Sequence, residues 1–223
     1  MKARLDCSIV IPVRNLNEIN SSIDQLTGMN AEEICVVYDI ECPIALREIQ
    51  ALALSSSTRW KFIQNKFCGS PGKAIAEGLS QAEHSNIIVT MGDGCDNWDD
   101  IPIMINHLNT AGIVSACRLE VPRFYRGGNR IKEFTTRLGA KLLAIKWNWE
   151  IIDPTNNFKG YKKKVLNQIG PIESNGFEVG IEIITKAFQN NVHIIEIPSR
   201  WVDPSESYHW TRRVYNYLPY LLK

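Results

Sequence analysis

The 223-residue chain is short of several things, and each shortage excludes a class of protein. No stretch approaches the roughly 20 consecutive apolar residues that a membrane-spanning helix needs. Histidine is scarce, with four residues, and the six cysteines (Cys7, Cys35, Cys42, Cys68, Cys95 and Cys117) form no C-x-x-C pair. That spacing argues against a structural zinc site. Cys7, Cys35 and Cys117 lie in or beside apolar runs, which reads as buried, reduced thiols in a reducing compartment. Neither charge dominates: 25 Lys and Arg face 24 Asp and Glu, a net charge of +1. A duplex nucleic-acid binder needs a cationic surplus for phosphate contacts, so that function is not expected. Residues 1–6 lead into an apolar run without a signal-peptide pattern, and the protein is expected to be cytoplasmic. With no internal repeat, low-complexity tract or linker, a single domain over residues 1–223 is predicted.

What is present is enough apolar residue, 44%, for a sizeable core. Short β-rich runs alternate with helical patterns. Strands are predicted at 7–13 (CSIVIPV), 33–38 (EICVVY), 61–64, 86–91 (NIIVTM) and 112–118, with helices at about 16–26, 44–54, 72–82 and 99–109. This rhythm predicts an α/β fold with a mostly parallel central sheet flanked by helices. After residue 118 it changes. A polar loop (119–129) precedes a long amphipathic helix (130–147). A loop at 153–157, a strand near 158–161, a helix near 177–189, a strand at 192–198 and a helical, aromatic tail at 208–223 follow.

Ligands of open α/β sheets bind at the carboxyl ends of strands, and acidic residues fall there. Asp39 and Glu41 follow the second strand, Asp93 and Asp96 follow NIIVTM, and Arg118 ends the strand GIVSACR. Asp93-Gly94-Cys95-Asp96 offers oxygen ligands suited to Mg²⁺ or Mn²⁺; an acidic turn before the next helix is the alternative. Residues 69–73 (GSPGK) lack the Walker spacing, and a turn entering a helix is the favoured reading over a phosphate loop. The cluster DPTNNF at 153–158 suits a turn. Glu178 and Glu182, four apart, share a helix face crowded with apolar residues, so at least one is expected to be partly buried.

These motifs, in order, resemble family 2 glycosyltransferases of the GT-A fold. The branch they are most similar to holds dolichyl-phosphate mannose synthase and bacterial polyprenyl-phosphate glycosyltransferases. The likeness runs from Ser8 to about Asp203. SIVIPVRNLNEI, with Pro12, matches the opening strand and turn. VVYD matches the nucleotide-binding strand tip, GKAIAEGL with Lys73 the helix after the third strand, and VTMGDGCDNWDDIP the segment that contains D-A-D. VSACR, RGGNRIK, DPTNNFKGYKK, GFEVGIE and IIEIPSRWVD complete the set. Met91 stands at the first acid of D-A-D, Tyr38 at the first acid of the nucleotide motif, and residues 204–210 replace the family's R-x-x-G-S-K.

The resemblance implies a metal-dependent, inverting transfer of sugar from a nucleotide-diphospho-sugar. Residues 1–118 would form the nucleotide-sugar half and 119–223 the acceptor half. Pro12, Asp39, Glu41, Lys73 and Asp93 would bind the donor, and Asp93 and Asp96 the Mg²⁺ or Mn²⁺. Arg118 would meet the diphosphate or the acceptor. Asp153 would be the acid group at the acceptor oxygen, with Arg126, Arg130, Glu178, Glu182 and Arg200 on the acceptor side. The acceptor is left open between a lipid phosphate and a glycan hydroxyl. A non-catalytic nucleotide-sugar-binding module is the alternative from another class. A nucleotidyltransferase fits less well, because residues 8–20 hold no glycine for a phosphate loop. The tail YHWTRRVYNYLPYLLK mixes aromatic, basic and aliphatic residues, which suits a bilayer headgroup boundary at the inner membrane face. A helix docked on the sheet and a homodimer contact are the other readings of that tail.

Overall fold

The computed structural model describes residues 4–16, 19, 23–40, 43–54, 56–121, 125–126, 130–202 and 211–222. The first half alternates as expected: β1 (Leu5–Asn15), α1 (Ile23–Gly28), β2 (Ala31–Ile40), α2 (Pro43–Leu54), β3 (Arg59–Gln64), α3 (Pro71–Gln81), β4 (Asn86–Val89), α4 (Ile101–His107) and β5 (Ile113–Cys117). The second half holds β6 (Tyr125–Arg126), α5 (Arg130–Trp147), β7 (Lys159–Lys162), α6 (Lys163–Ile169), α7 (Val179–Gln189), β8 (Ile194–Pro198), β9 (Trp201–Val202) and α8 (Thr211–Leu222).

The main sheet has the order β3-β2-β1-β4-β7-β5-β8. Six of its strands run the same way, and β7 alone runs against its neighbours β4 and β5. The apolar run of β1 is buried on both faces because helices cover both sides of the sheet. Pro12 is tolerated in this central strand for a local reason. β4 pairs only with Ser8–Val10 of β1, so Pro12, with no N–H to donate, lies past the end of that ladder.

The helix expected at about 16–26 is described from Ile23 as α1, most of residues 17–22 lying outside the described residues, and β1 runs on to Asn15. The helix expected at 99–109 is a 3₁₀ turn, Trp98–Asp100, followed by α4, because Pro102 fits only the first turn of a helix. α6 was not expected; its seven residues bury Val165 and Ile169 and pack Leu166 against the core.

Cys7, Cys35 and Cys117 are buried and free, as read from the sequence, and burial pushes each thiol up to about 12. Cys68 is exposed, and Cys42 lies outside the described residues.

Candidate functional site

Because six strands point the same way, their carboxyl ends gather at one edge of the sheet. The start of the reversed strand β7 lies there too, and it brings the 153–158 loop with it.

Asp39, near the tip of β2, accepts from Asn65 Nδ2 at 2.6 Å and from the Gly69 amide at 2.9 Å. It therefore ties the loop after β3 to the tip of β2. That loop enters α3, whose first turn docks on residues 172–176: Ser70 Oγ donates to the Asn175 carbonyl (2.7 Å), as does the Gly72 amide (3.0 Å). Lys73 reaches the Ile172 carbonyl at 3.4 Å. The 69–73 segment is a packing junction between early and late chain, in line with the turn reading. A Cβ on Gly72 would collide with the Ser174 carbonyl and lie 2.8 Å from that of Gly176. Gly72→Ala is expected to cost about 1–3 kcal/mol through a forced backbone shift. Gly139→Ala, in open space within α5, should instead gain about 0.5–1 kcal/mol. Thermal melts of the two variants should move in opposite directions.

After β4 the chain turns through Gly94, whose φ of +72° suits glycine. Asp93 is exposed on this turn, with Oδ1 accepting from the Cys95 amide at 3.2 Å. Asp96 differs. It is buried, and its Oδ2 accepts from Thr90 Oγ1 (2.8 Å) and the Met91 amide (2.9 Å), while Trp98 Nε1 donates to Thr90 Oγ1 at 2.7 Å. Burial raises its pKa to about 6, with Asp93 adding to the rise and the Met91 and Thr90 hydrogen bonds opposing it. Of the two acids read as metal ligands, with Asp96 in support of Asp93, Asp93 is exposed and Asp96 is buried, bonded to the backbone and side chain at 90–91.

Arg118, just past β5, is clamped by Asp153. Nε meets Oδ2 at 2.7 Å, Nη2 meets Oδ1 at 2.8 Å, and the Arg118 amide donates to Oδ2 at 3.0 Å. Nη2 also donates to Thr155 Oγ1 (2.9 Å), and the guanidinium lies 5.4 Å from the Trp201 ring centroid. Asp153 is 0% exposed. Burial alone would raise its pKa, but the Arg118 charge and hydrogen bonds hold it below the usual carboxylate range. The structure places Asp153, read from the sequence as the acid group at the acceptor oxygen, in a buried bidentate pair with the Arg118 guanidinium.

Behind this pair stand two charged groups that the sequence reading missed. Glu196 of β8 accepts from the amides of Ile152 (2.6 Å) and Asp153 (2.8 Å), which pins the loop carrying Asp153. Burial raises its pKa despite those bonds. Lys159, also 0% exposed, donates to the Pro154 carbonyl at 3.2 Å, and burial lowers its pKa to about 8 against the pull of Asp153. A charged residue inside the apolar strand IIEIP was the signal for Glu196. Trp201 was also missed. It reaches the site because β9 sits against the Asp93 turn, with the Val202 amide donating to the Cys95 carbonyl at 3.1 Å.

The acceptor-side glutamates do structural work. Glu178 is buried and accepts from the Gly176 amide (2.9 Å) and Asn216 Nδ2 (3.1 Å). Glu182 accepts from the Glu173 and Ser174 amides, both at 2.8 Å, and pairs with Lys186 at 2.6 Å. Both are more buried than the sequence reading required, and both clamp the 173–176 loop. Arg200 is exposed just past β8. Glu41 and the side chains of Arg126 and Arg130 lie outside the described residues, as does the 204–210 segment.

Solved structures share this architecture. Glucosyl-3-phosphoglycerate synthase from Mycobacterium tuberculosis in complex with UDP aligns over 99% of this chain and 79% of its own, at 16% identity and a TM-score of 0.69. The complex with Mg²⁺ and UDP gives the same figures. The complex with Mn²⁺, UDP-glucose and phosphoglyceric acid aligns over 99% and 78%, at 15% identity and a TM-score of 0.67. The chain has the GT-A fold. No family model matches it. Asp39, Asp93 and Arg118 stand at the carboxyl tips of β2, β4 and β5, the edge at which open α/β sheets in general bind ligands.

Proposed function

We propose that the protein is an inverting glycosyltransferase that uses a nucleotide-diphospho-sugar and a divalent metal, as the family 2 enzymes of its fold do. The observation that carries this reading is the exposed Asp93 carboxylate on its Gly94 turn, at the same edge of the sheet as a guanidinium that Asp153 holds in place. The solved structures of the same fold hold UDP or UDP-glucose with Mn²⁺ or Mg²⁺.

The residues fit such a metal. Among the described residues no three His, Cys, Asp or Glu side chains gather as ligands. Asp93 would supply one oxygen, and the donor's diphosphate and water the others, a donor set that suits Mg²⁺ or Mn²⁺. When bound, the ion would neutralise charge on the departing diphosphate. Asp39 would orient the nucleoside through the lone pairs its loop leaves open. Arg118, fixed by Asp153, Thr155 and Trp201, would place a cation against phosphate without reorganising during the reaction. The acceptor oxygen would bond to the anomeric carbon as the bond to the diphosphate breaks on the far side.

With Asp153 committed to Arg118, an acceptor that needs little help losing a proton is favoured. A phosphate monoester fits, since its second pKa lies near 6. A polyprenyl phosphate meets that condition, and so does a small phosphate-bearing acid that attacks through a phosphate oxygen; the Mycobacterium tuberculosis enzyme has been solved with phosphoglyceric acid.

The test is a thermal melt followed by turnover. UDP or GDP with Mn²⁺ at about 100 times its Kd should stabilise the fold by about 2.7 kcal/mol, a rise of about 5–10 °C. Stabilisation without turnover over a panel of nucleotide-sugars and phosphate acceptors would favour the non-catalytic module. No shift with any nucleoside diphosphate would overturn both readings.

A further inference from the structure

α5 carries apolar residues on two opposite faces. Its inner face buries Ala140 and Leu143 against the core. Its outer face exposes Phe134 (65%), Leu138, Leu142 and Ile145 (69%). At about 100° per residue these four span roughly 80°, centred nearly opposite Ala140 and Leu143. A soluble helix normally turns polar residues to that side. The stripe therefore wants cover, and it is more than a flank of the core. α8 extends it. Trp147 Nε1 donates to the Tyr220 carbonyl at 3.0 Å and binds the two helices together. Tyr217, Tyr220 and Leu221 pack against the core, while Leu218 and Leu222 (79%) face outward.

The charge on these helices is one-sided. Of the chain's 25 Lys and Arg and 24 Asp and Glu, α5 and α8 hold seven basic residues and one acid, Glu133. They are net +6 and the rest of the chain is net −5. Glu133 is paired with Arg137 at 2.9 Å, and the exposed Lys141 flanks the apolar stripe, about 20° from Phe134.

We propose that the outer face of α5, continued by the end of α8, docks on an anionic lipid bilayer. An apolar stripe set among cations matches the headgroup boundary of such a surface, where lysine stems lie along acyl chains and their ammonium groups meet lipid phosphate. A second copy of the chain is a poorer occupant. A two-fold contact over the stripe brings two copies of a basic helix together, and the one acid on that helix is already engaged by Arg137. This inference stands apart from the proposed chemistry, because lipid binding needs neither donor nor metal.

The experiment is co-sedimentation of the full chain with sucrose-loaded vesicles at low salt. One set is pure phosphatidylcholine, the other phosphatidylcholine with phosphatidylglycerol. The chain should pellet with the anionic vesicles only. Leu138→Glu with Leu142→Glu should weaken that binding about tenfold or more. Leu54→Glu, at an exposed apolar residue of α2, should leave it unchanged. Unaltered melting curves would show that the variants fold. Wild-type protein left in the supernatant with anionic vesicles would overturn the proposal. So would equal binding by the double variant, or a dimer in sedimentation velocity that the double variant converts to monomer.

Discussion

Asp93→Ala is expected to reduce sugar transfer on the order of 10³-fold or more while shifting the melting temperature little. The side chain is exposed on a turn, and its one hydrogen bond, to the Cys95 amide, is a long 3.2 Å. Little packing is lost with it. In the proposed chemistry it is the protein's carboxylate on the ion that neutralises the leaving diphosphate, and such charge stabilisation is worth several kcal/mol of barrier. The companion measurement is metal removal. EDTA should stop wild-type turnover, and Mn²⁺ or Mg²⁺ should restore it. Asp93→Ala should also lose the metal-dependent part of its stabilisation by nucleoside diphosphate. An Asp93→Ala variant that keeps wild-type turnover on the native donor would remove the metal assignment.

Asp153→Asn should behave in the opposite way, with damage to the fold as well as to activity. It removes the Asp153 charge that balances the nearly buried Arg118 guanidinium, 12% exposed, and is expected to cost about 3 kcal/mol. Adding Arg118→Met should recover part of that stability, because the guanidinium that Asp153 balanced is gone, and should recover no activity. The pH dependence has a definite sign. Asp153 is held below its ordinary range in the folded state. Its contribution is therefore complete above the unfolded value of about 3.9 and fades as pH falls through the lower, folded value. Wild type should lose this increment in acid, and the double variant should have none to lose. Denaturant melts at pH 7 and pH 3 would show the difference. Equal stability of Asp153→Asn and wild type at pH 7 would mean that the pair is not the buried clamp described above.

Most of the fold was readable because each signal was local. CSIVIPV and NIIVTM are apolar runs too short for helices and too apolar for exposed strands, and both lie in the sheet. The 130–147 helix was placed at its observed bounds because its pattern is long and unbroken. α6 was missed because seven residues with three apolar positions carry little periodic signal. The site was legible as a set of strand tips, since parallel strands put their carboxyl ends on one edge. Its internal pairing was not. Nothing local says that Asp153 faces Arg118, 35 residues back in the chain, or that Glu196 reaches the amides of residues 152 and 153. Those contacts follow from β7 lying between β4 and β5, and strand order is set by the whole sheet. The same holds for Lys159, whose burial depends on both neighbouring strands.

The insertion of β7 also sets the order in which a ribosome can deliver a finished sheet. β1 to β4 can pair as they emerge, but β4 and β5 share no ladder and wait for a strand that ends at residue 162. Until then the nascent chain presents an open apolar edge on β4, a ready template for pairing with another molecule. A truncated fragment 1–118 would keep that edge permanently, with β5 left without either of its neighbours. Residues 1–118 are therefore a region of the sheet and not a separable module, and expressed alone they should aggregate where the full chain stays dispersed.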